Sequence, residues 1–149
     1  MIILILKVLH IACAAVWWGV PMSMSRDIRT TICLGQPHAG ALISRVNRSR
    51  VIAIGAGLAT IISGIGLVLL VGGFALVPTP IHIALTLSFI LLSSEYLWEG
   101  RTWSRLIECI RSRESDEVTR GVVRRMSLIG GLQHTLWFFV LVLMVFRHY

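Results

Sequence analysis

Three histidines set the chemistry that this sequence can support: His10, His82 and His134 fall inside or at the edge of long apolar runs. An imidazole at lipid depth is costly unless it meets a partner, so such positions mark sites. Counted from the outer end of each run at about 1.5 Å per residue, His10 lies roughly 12 Å deep and His134 roughly 18 Å deep. Both are near the middle of a bilayer, whereas His82 is near the outer edge, where water or headgroups reach it. Two midplane imidazoles between apolar walls form the donor set of a b-type haem, with His10 and His134 on the iron and His82 as the alternative second ligand. Zinc asks for a third or fourth protein ligand, and Glu95 and Glu99 fall at the far end of their run. Copper favours thioethers, but Met22 and Met24 lie at the wrong end for His10. No serine or cysteine nucleophile has a histidine and a carboxylate beside it, which leaves hydrolytic catalysis without support. The alternative role for His10 and His134 is hydrogen bonding between helices, and for His82 an interfacial one.

The faces around these residues agree with a buried site. Three-and-four spacing puts Lys7, His10, Cys13 or Ala14, Trp17 and Pro21 on one face of the first run. Ser127, Gly130, His134, Trp137 and Leu141 share a face of the fourth. His82, Thr86, Phe89, Ser93 and Tyr96 make a polar and aromatic seam on the third. The second offers Gly57, Thr60 and Gly64, a surface suited to close approach of a helix or of a flat macrocycle.

The elements that position these faces are membrane spans. The chain has 149 residues, 56% hydrophobic and 14% charged, with a mean hydropathy of +0.81. That composition belongs to a chain whose solvent is a bilayer. Apolar runs at about 2–24, 51–77, 80–98 and 127–146 each approach the roughly 20 residues that cross about 30 Å of hydrocarbon. Lipid admits only internally bonded backbone, so the expected fold is all-α, a single four-transmembrane-helix bundle running up-down-up-down. The first run is too long for a signal peptide, and it lacks a basic leader and a small-residue cleavage site.

Charge fixes the orientation. Arg26, Arg29, Arg45, Arg48 and Arg50 separate the first two runs. Arg101, Arg105, Arg111, Arg113, Arg120, Arg124 and Arg125 separate the last two, so that only Lys7 and Arg147 of the 14 basic residues lie elsewhere. The positive-inside rule makes 25–50 and 99–126 cytoplasmic loops and both termini periplasmic, in a bacterial inner membrane. The net charge of +7 is then a topology signal, with membrane lipids as its partner and no nucleic acid. Gly35, Pro37 and Gly40 break the first loop, and a short basic segment from about Ala41 leads into the second span. Trp98, Trp103, Leu106, Ile107 and Ile110 recur at helical spacing, which predicts that the third helix continues past the bilayer and lies along its surface. The short VPTP link makes spans two and three antiparallel neighbours. Cys13, Cys33 and Cys109 form no disulfide or covalent haem motif.

The stretch LHIACAAVWWGVPMSMSR, with His10, Trp17 and Arg26, resembles the first helix of the HemJ-type membrane protoporphyrinogen oxidases and of the small four-helix membrane proteins grouped near copper-resistance D. LISRVNRSRVIAIGAGLATIISGIGLVLL, PIHIALTLSFILL and RRMSLIGGLQHTLWFFVLVLMVFR resemble that family's later helices. The chain departs at Ala84, where the family carries a lysine, and it lacks the tyrosine and histidine expected after the first-helix arginine. The resemblance implies a four-helix membrane bundle with functional roles for His10, Trp17 and Arg26, and haem or porphyrin as ligand. The expected function is therefore b-type haem binding with electron transfer, or redox chemistry on a porphyrin or quinone as a protoporphyrinogen oxidase-like oxidoreductase. The alternatives are a non-catalytic accessory subunit of a larger respiratory or photosynthetic membrane complex and, last, copper or other metal handling.

Overall fold

The computed structural model describes the chain except residues 33, 35, 113 and 147–149 and the side chains of residues 36, 37 and 116. Expectations that rest on Cys33, Gly35, Pro37, Arg113 and Arg147 therefore lie outside what is described. The fold is all-helical. Helix α1 covers Ile2–Ile32, α2 Gln36–Leu70, α3 Thr79–Ser94, α4 Gly100–Arg111 and α5 Asp116–Val145. A short 3₁₀ turn at Phe74–Leu76 precedes α3, and a π-helical turn at Glu95–Glu99 fuses α3 to α4. Four continuous helical stretches are long and apolar enough to cross a membrane: Ile2–Ile32, His38–Leu70, Thr79–Arg111 and Glu117–Val145.

Helix α1 packs along α2, α5 packs along α3 and α4, α1 also meets α5, and α2 meets α3 and α4, so the four stretches close into a bundle. Its outer faces are apolar: Leu4, Ile11, Leu58, Ile62, Leu132, Phe138 and Phe139 are all exposed. That is the inverse of a soluble helix, whose polar face looks outward. The turn between α2 and α3 relies on Gly72, at φ 115°, where a Cβ would also come within 2.6 Å of Leu76 Cδ1. Only glycine accepts that combination.

Two cores are stacked along the bundle. One lies among the apolar runs and holds Trp17, Ala53, Ala84, Leu91 and Val140. The other lies at the arginine-rich end, around Met24, Ile28, Leu42, Val46, Trp103, Leu106 and Met126. The second core corrects the loop expectation. Residues 25–50 and 99–126 are mostly helix, because all four helices run beyond their apolar stretches and keep packing on one another. It also corrects the placement of the third helix's extension. Helix α4 continues α3 through the π turn and buries Trp103, Leu106 and Cys109 against the ends of α2 and α5. Its apolar stripe packs with Val46 and Met126. Burial of Trp103 and Leu106 contributes on the order of 1.5–3 kcal/mol each, and the Trp103 indole N–H donates to Asn47 Oδ1 at 2.8 Å, so no polar atom of that ring is stranded.

Candidate functional site

The polar centre of the bundle is where α1, α5 and the π turn meet. Trp17 of α1 is 3% exposed, and its indole Nε1–H donates to Glu95 Oε2 at 2.7 Å. Glu95 and Glu99, the two ends of the π turn, are both buried, while Tyr96, Leu97 and Trp98 between them face outward. A π turn inside an α-helix is rare and recurs at functional sites. Here it leads into Gly100, whose missing Cβ admits Arg50 of α2. A Cβ there would stand 2.8 Å from Arg50 Nη2. The guanidinium is close enough for its charge to act on both glutamates.

His134 belongs to the same region. Its Nδ1 lies 2.6 Å from Gly130 O on the preceding turn of α5. A carbonyl only accepts, so Nδ1 carries the hydrogen, and in the neutral ring Nε2 holds a lone pair. That Nε2 is buried without a partner, and so is the indole Nε1 of Trp137 one turn later. Both residues line one cleft, together with Trp17, Trp18, Pro21, Leu91, Glu95 and Gln133. The enclosed space is about 20 Å³, room for a single water, and the cleft opens at one side. Its walls are aromatic: Trp137 meets Trp17 edge-on at 5.7 Å and Trp18 at 6.3 Å, tilted by 33°. Gln133 Nε2 donates to Ser94 Oγ at 3.1 Å and fixes α5 against the end of α3.

The other sequence-predicted residues lie elsewhere. His10 is half-buried against α2, where its Nδ1–H is shared between Thr60 O at 2.9 Å and Ser63 Oγ at 3.1 Å. Gly64 lets the ring approach, since a Cβ there would be 3.1 Å from its Cε1. His82 is exposed at the opposite end and stacks loosely on Phe74 at 6.0 Å. Arg26 is exposed on α1, past the cleft. Trp17 and His134 are thus brought together; His10, His82 and Arg26 are not.

A haem between His10 and His134 needs both rings on opposite faces of one iron. His134 shares its cleft with Trp17 and Pro21, which are roughly 10 and 16 Å along α1 from His10 at about 1.5 Å per residue. Trp17, Leu91 and Val140 fill part of the interior. These residues do not fit one haem shared by the two histidines. Among the described residues no group of three or more histidine, cysteine, aspartate or glutamate side chains is placed to hold a metal ion.

Glu95, Glu99 and Arg50 are the residues that reading the sequence passed over. Depth counting took adjacent run ends as level and set Glu95 apart from His134. The structure places them on one cleft, because a stagger of a few residues between α3 and α5 removes the apparent gap. A signal was present: carboxylates within a few residues of an apolar run are as costly as histidines there, and they deserved the same treatment. Comparison with protein-family models, with curated proteins and with solved structures returns no match.

Proposed function

We propose that the chain is an integral membrane protein, arginine-rich end cytoplasmic, that binds a redox-active aromatic ring of the quinone class in the cleft between α1, α3 and α5. The observation that carries this reading is the pair of buried, unpartnered atoms on the cleft's own residues, His134 Nε2 and Trp137 Nε1. One is an acceptor and the other a donor. A quinol hydroxyl donates to the first, and a quinone carbonyl accepts from the second. The Trp17, Trp18 and Trp137 rings supply the apolar walls, and Glu95, which also lines the cleft, is a group able to take or give a proton. The enclosed space of about 20 Å³ holds no ring by itself, so a quinone would enter at the open side as Trp18 and Trp137 shift. A ring docked there would keep its tail in lipid, and a porphyrin would demand far greater displacement of the tryptophans. The apolar outer faces and the twelve arginines gathered toward one end support the membrane placement. In this reading electrons pass to a partner protein in the membrane, which joins the electron-transfer and accessory-subunit expectations.

The test is titration of the purified protein in detergent with a short-chain ubiquinone analogue, followed by tryptophan fluorescence. Saturable quenching that weakens at least tenfold in W137F supports the proposal. Quenching that is linear, and identical in wild type and variant, overturns it. A red protein whose haem absorption is lost in both H10A and H134A would restore the haem reading in its place.

A further inference from the structure

The cleft is one end of a line of polar groups, and the other end is a second cavity nearer the arginine-rich surface. That cavity lies between α1 and α5 and is lined by Met24, Ser25, Ile28, Glu99, Val123, Met126 and Ser127. Glu99 is 6% exposed, and its Oε2 is buried without a hydrogen-bond partner. As packing this is an unfavourable choice, since a buried carboxyl oxygen without a hydrogen-bond partner carries a desolvation cost that a leucine would not. At the rim, Ser127 Oγ accepts from Arg29 Nε at 3.1 Å in an exposed bond, so the polar edge of the cavity reaches the surface. Glu95 and Glu99 are the two ends of one π turn, near enough for the charge of Glu95 to act on Glu99, and a water between the carboxyls would complete the link. Glu95 in turn lines the cleft with His134. The charged and titratable groups around the pair are Arg50 from α2, His134 from α5 and, at the rim, Arg29 from α1.

We propose that Glu99 and Glu95 relay protons between water at the arginine-rich end and the cleft at His134, with entry through the cavity beside Ser25 and Ser127. The inference rests on the cleft being the functional site, and it names the route by which that site exchanges protons. Each step moves one proton. Glu95 gives its proton to the cleft and takes another from Glu99 across a bridging water, and Glu99 recharges from water in the cavity. No electron or other group moves in the relay itself.

The experiment is a pH jump on the intact protein in detergent, with infrared detection of the protonated Glu95 carboxyl, recognised as the band that disappears in E95Q. The expected result is a Glu95 response at least tenfold slower in E99Q and restored toward wild type in E99D. S127V, which fills the entrance at a surface position, slows it as well. An E99Q rate equal to wild type overturns the relay, as does a Glu95 that shows no protonated band at any pH. Quinone titration of the same samples separates the two proposals. Glu99 is outside the cleft, so E99Q binds the analogue as wild type does. A wild type that binds none defeats the quinone reading while leaving the ratio of proton-transfer rates intact.

Discussion

The indole of Trp17 and the carboxylate of Glu95 share a buried hydrogen bond of 2.7 Å that ties the middle of α1 to the end of α3. It removes the last polar atom of Trp17 from apolar surroundings and gives Glu95 a donor. W17F deletes that donor and shortens the ring, leaving Glu95 buried with less support and a gap beside Gly57. The expected cost is about 1–3 kcal/mol, the usual penalty for stranding a buried polar group. E95L in the W17F background should recover part of it, because both partners are then apolar. Equilibrium unfolding of the single and double variants in mixed detergent measures the difference, and simple additivity of the two changes would contradict the bond's role.

Close approach at Gly57 gives a second expectation. A Cβ there would stand 2.8 Å from Trp17 Cε2 and 2.9 Å from Leu92 Cδ1, whereas one at Gly55 would meet nothing within 4 Å. G57A therefore forces the Trp17 ring to shift and destabilises by about 1–3 kcal/mol, as overpacking does. G55A, on the same helix, changes stability little. Melting curves that rank the two variants the other way would show that the α1–α2 contact is looser than described.

The residues themselves explain how far the sequence could be read. The four helices, the meeting of α2 and α3 across one short turn and the concentration of arginine toward one end follow from run length and charge, both of which are properties of position along the chain. The burial of α4 was not legible in that way. Its stripe of Trp103, Leu106 and Cys109 predicts an apolar partner without saying whether lipid or protein supplies it. The site failed for a related reason. His10 and His134 were paired by depth, yet which residues meet across helices depends on rotation and stagger, set by contacts such as Gly64 against His10 and Gly130 against Ser25. That Trp17 shares a face with His10 is legible in the sequence; its partner Glu95 is not.

In the polar extension beyond the apolar runs, Arg45 donates to both oxygens of Asp27 at 2.9 Å. The hydrogen bond from Arg45 holds the Asp27 carboxyl below its ordinary value against a smaller opposing effect of burial, and the Thr31 hydroxyl helps. A carboxyl lowered in the folded protein contributes stability above its unfolded value, about 3.9, and loses it as pH falls through the folded value. Wild type should therefore melt above R45M at neutral pH, and the two should converge in acid. Both side chains are substantially exposed, at 50% and 35%, so the gap is small and shrinks with salt. A gap that persists unchanged in acid would assign the effect of Arg45 to packing.

Cys109 is 1% exposed, with its Sγ 3.6 Å from Glu114 Oε2. Burial pushes the thiol up, and the charge of Glu114 adds to it. In a variant with Cys13 and Cys33 replaced by serine, maleimide should label folded protein at least about tenfold more slowly than denatured protein, since only exposed thiolate reacts. Equal rates would mean that α4 detaches readily from the second core.

His10 and His134 differ in what each stands to lose, and that difference separates packing from function. His10 spends its Nδ1–H on Thr60 and Ser63 of α2. H10L breaks that link and lowers stability by about 0.6–2 kcal/mol, the range for polar contacts between helices in a membrane. It leaves quinone binding in place. His134 keeps its Nδ1 bond within α5, while its Nε2 meets no protein group. H134L therefore costs little stability, because it removes an unpaired buried atom, yet it takes away the acceptor for a ligand hydroxyl and weakens binding at least tenfold. Stability and ligand affinity measured on both variants should cross. If H10L instead abolished binding while H134L left it intact, the site would have to move to the α1–α2 contact around Gly64.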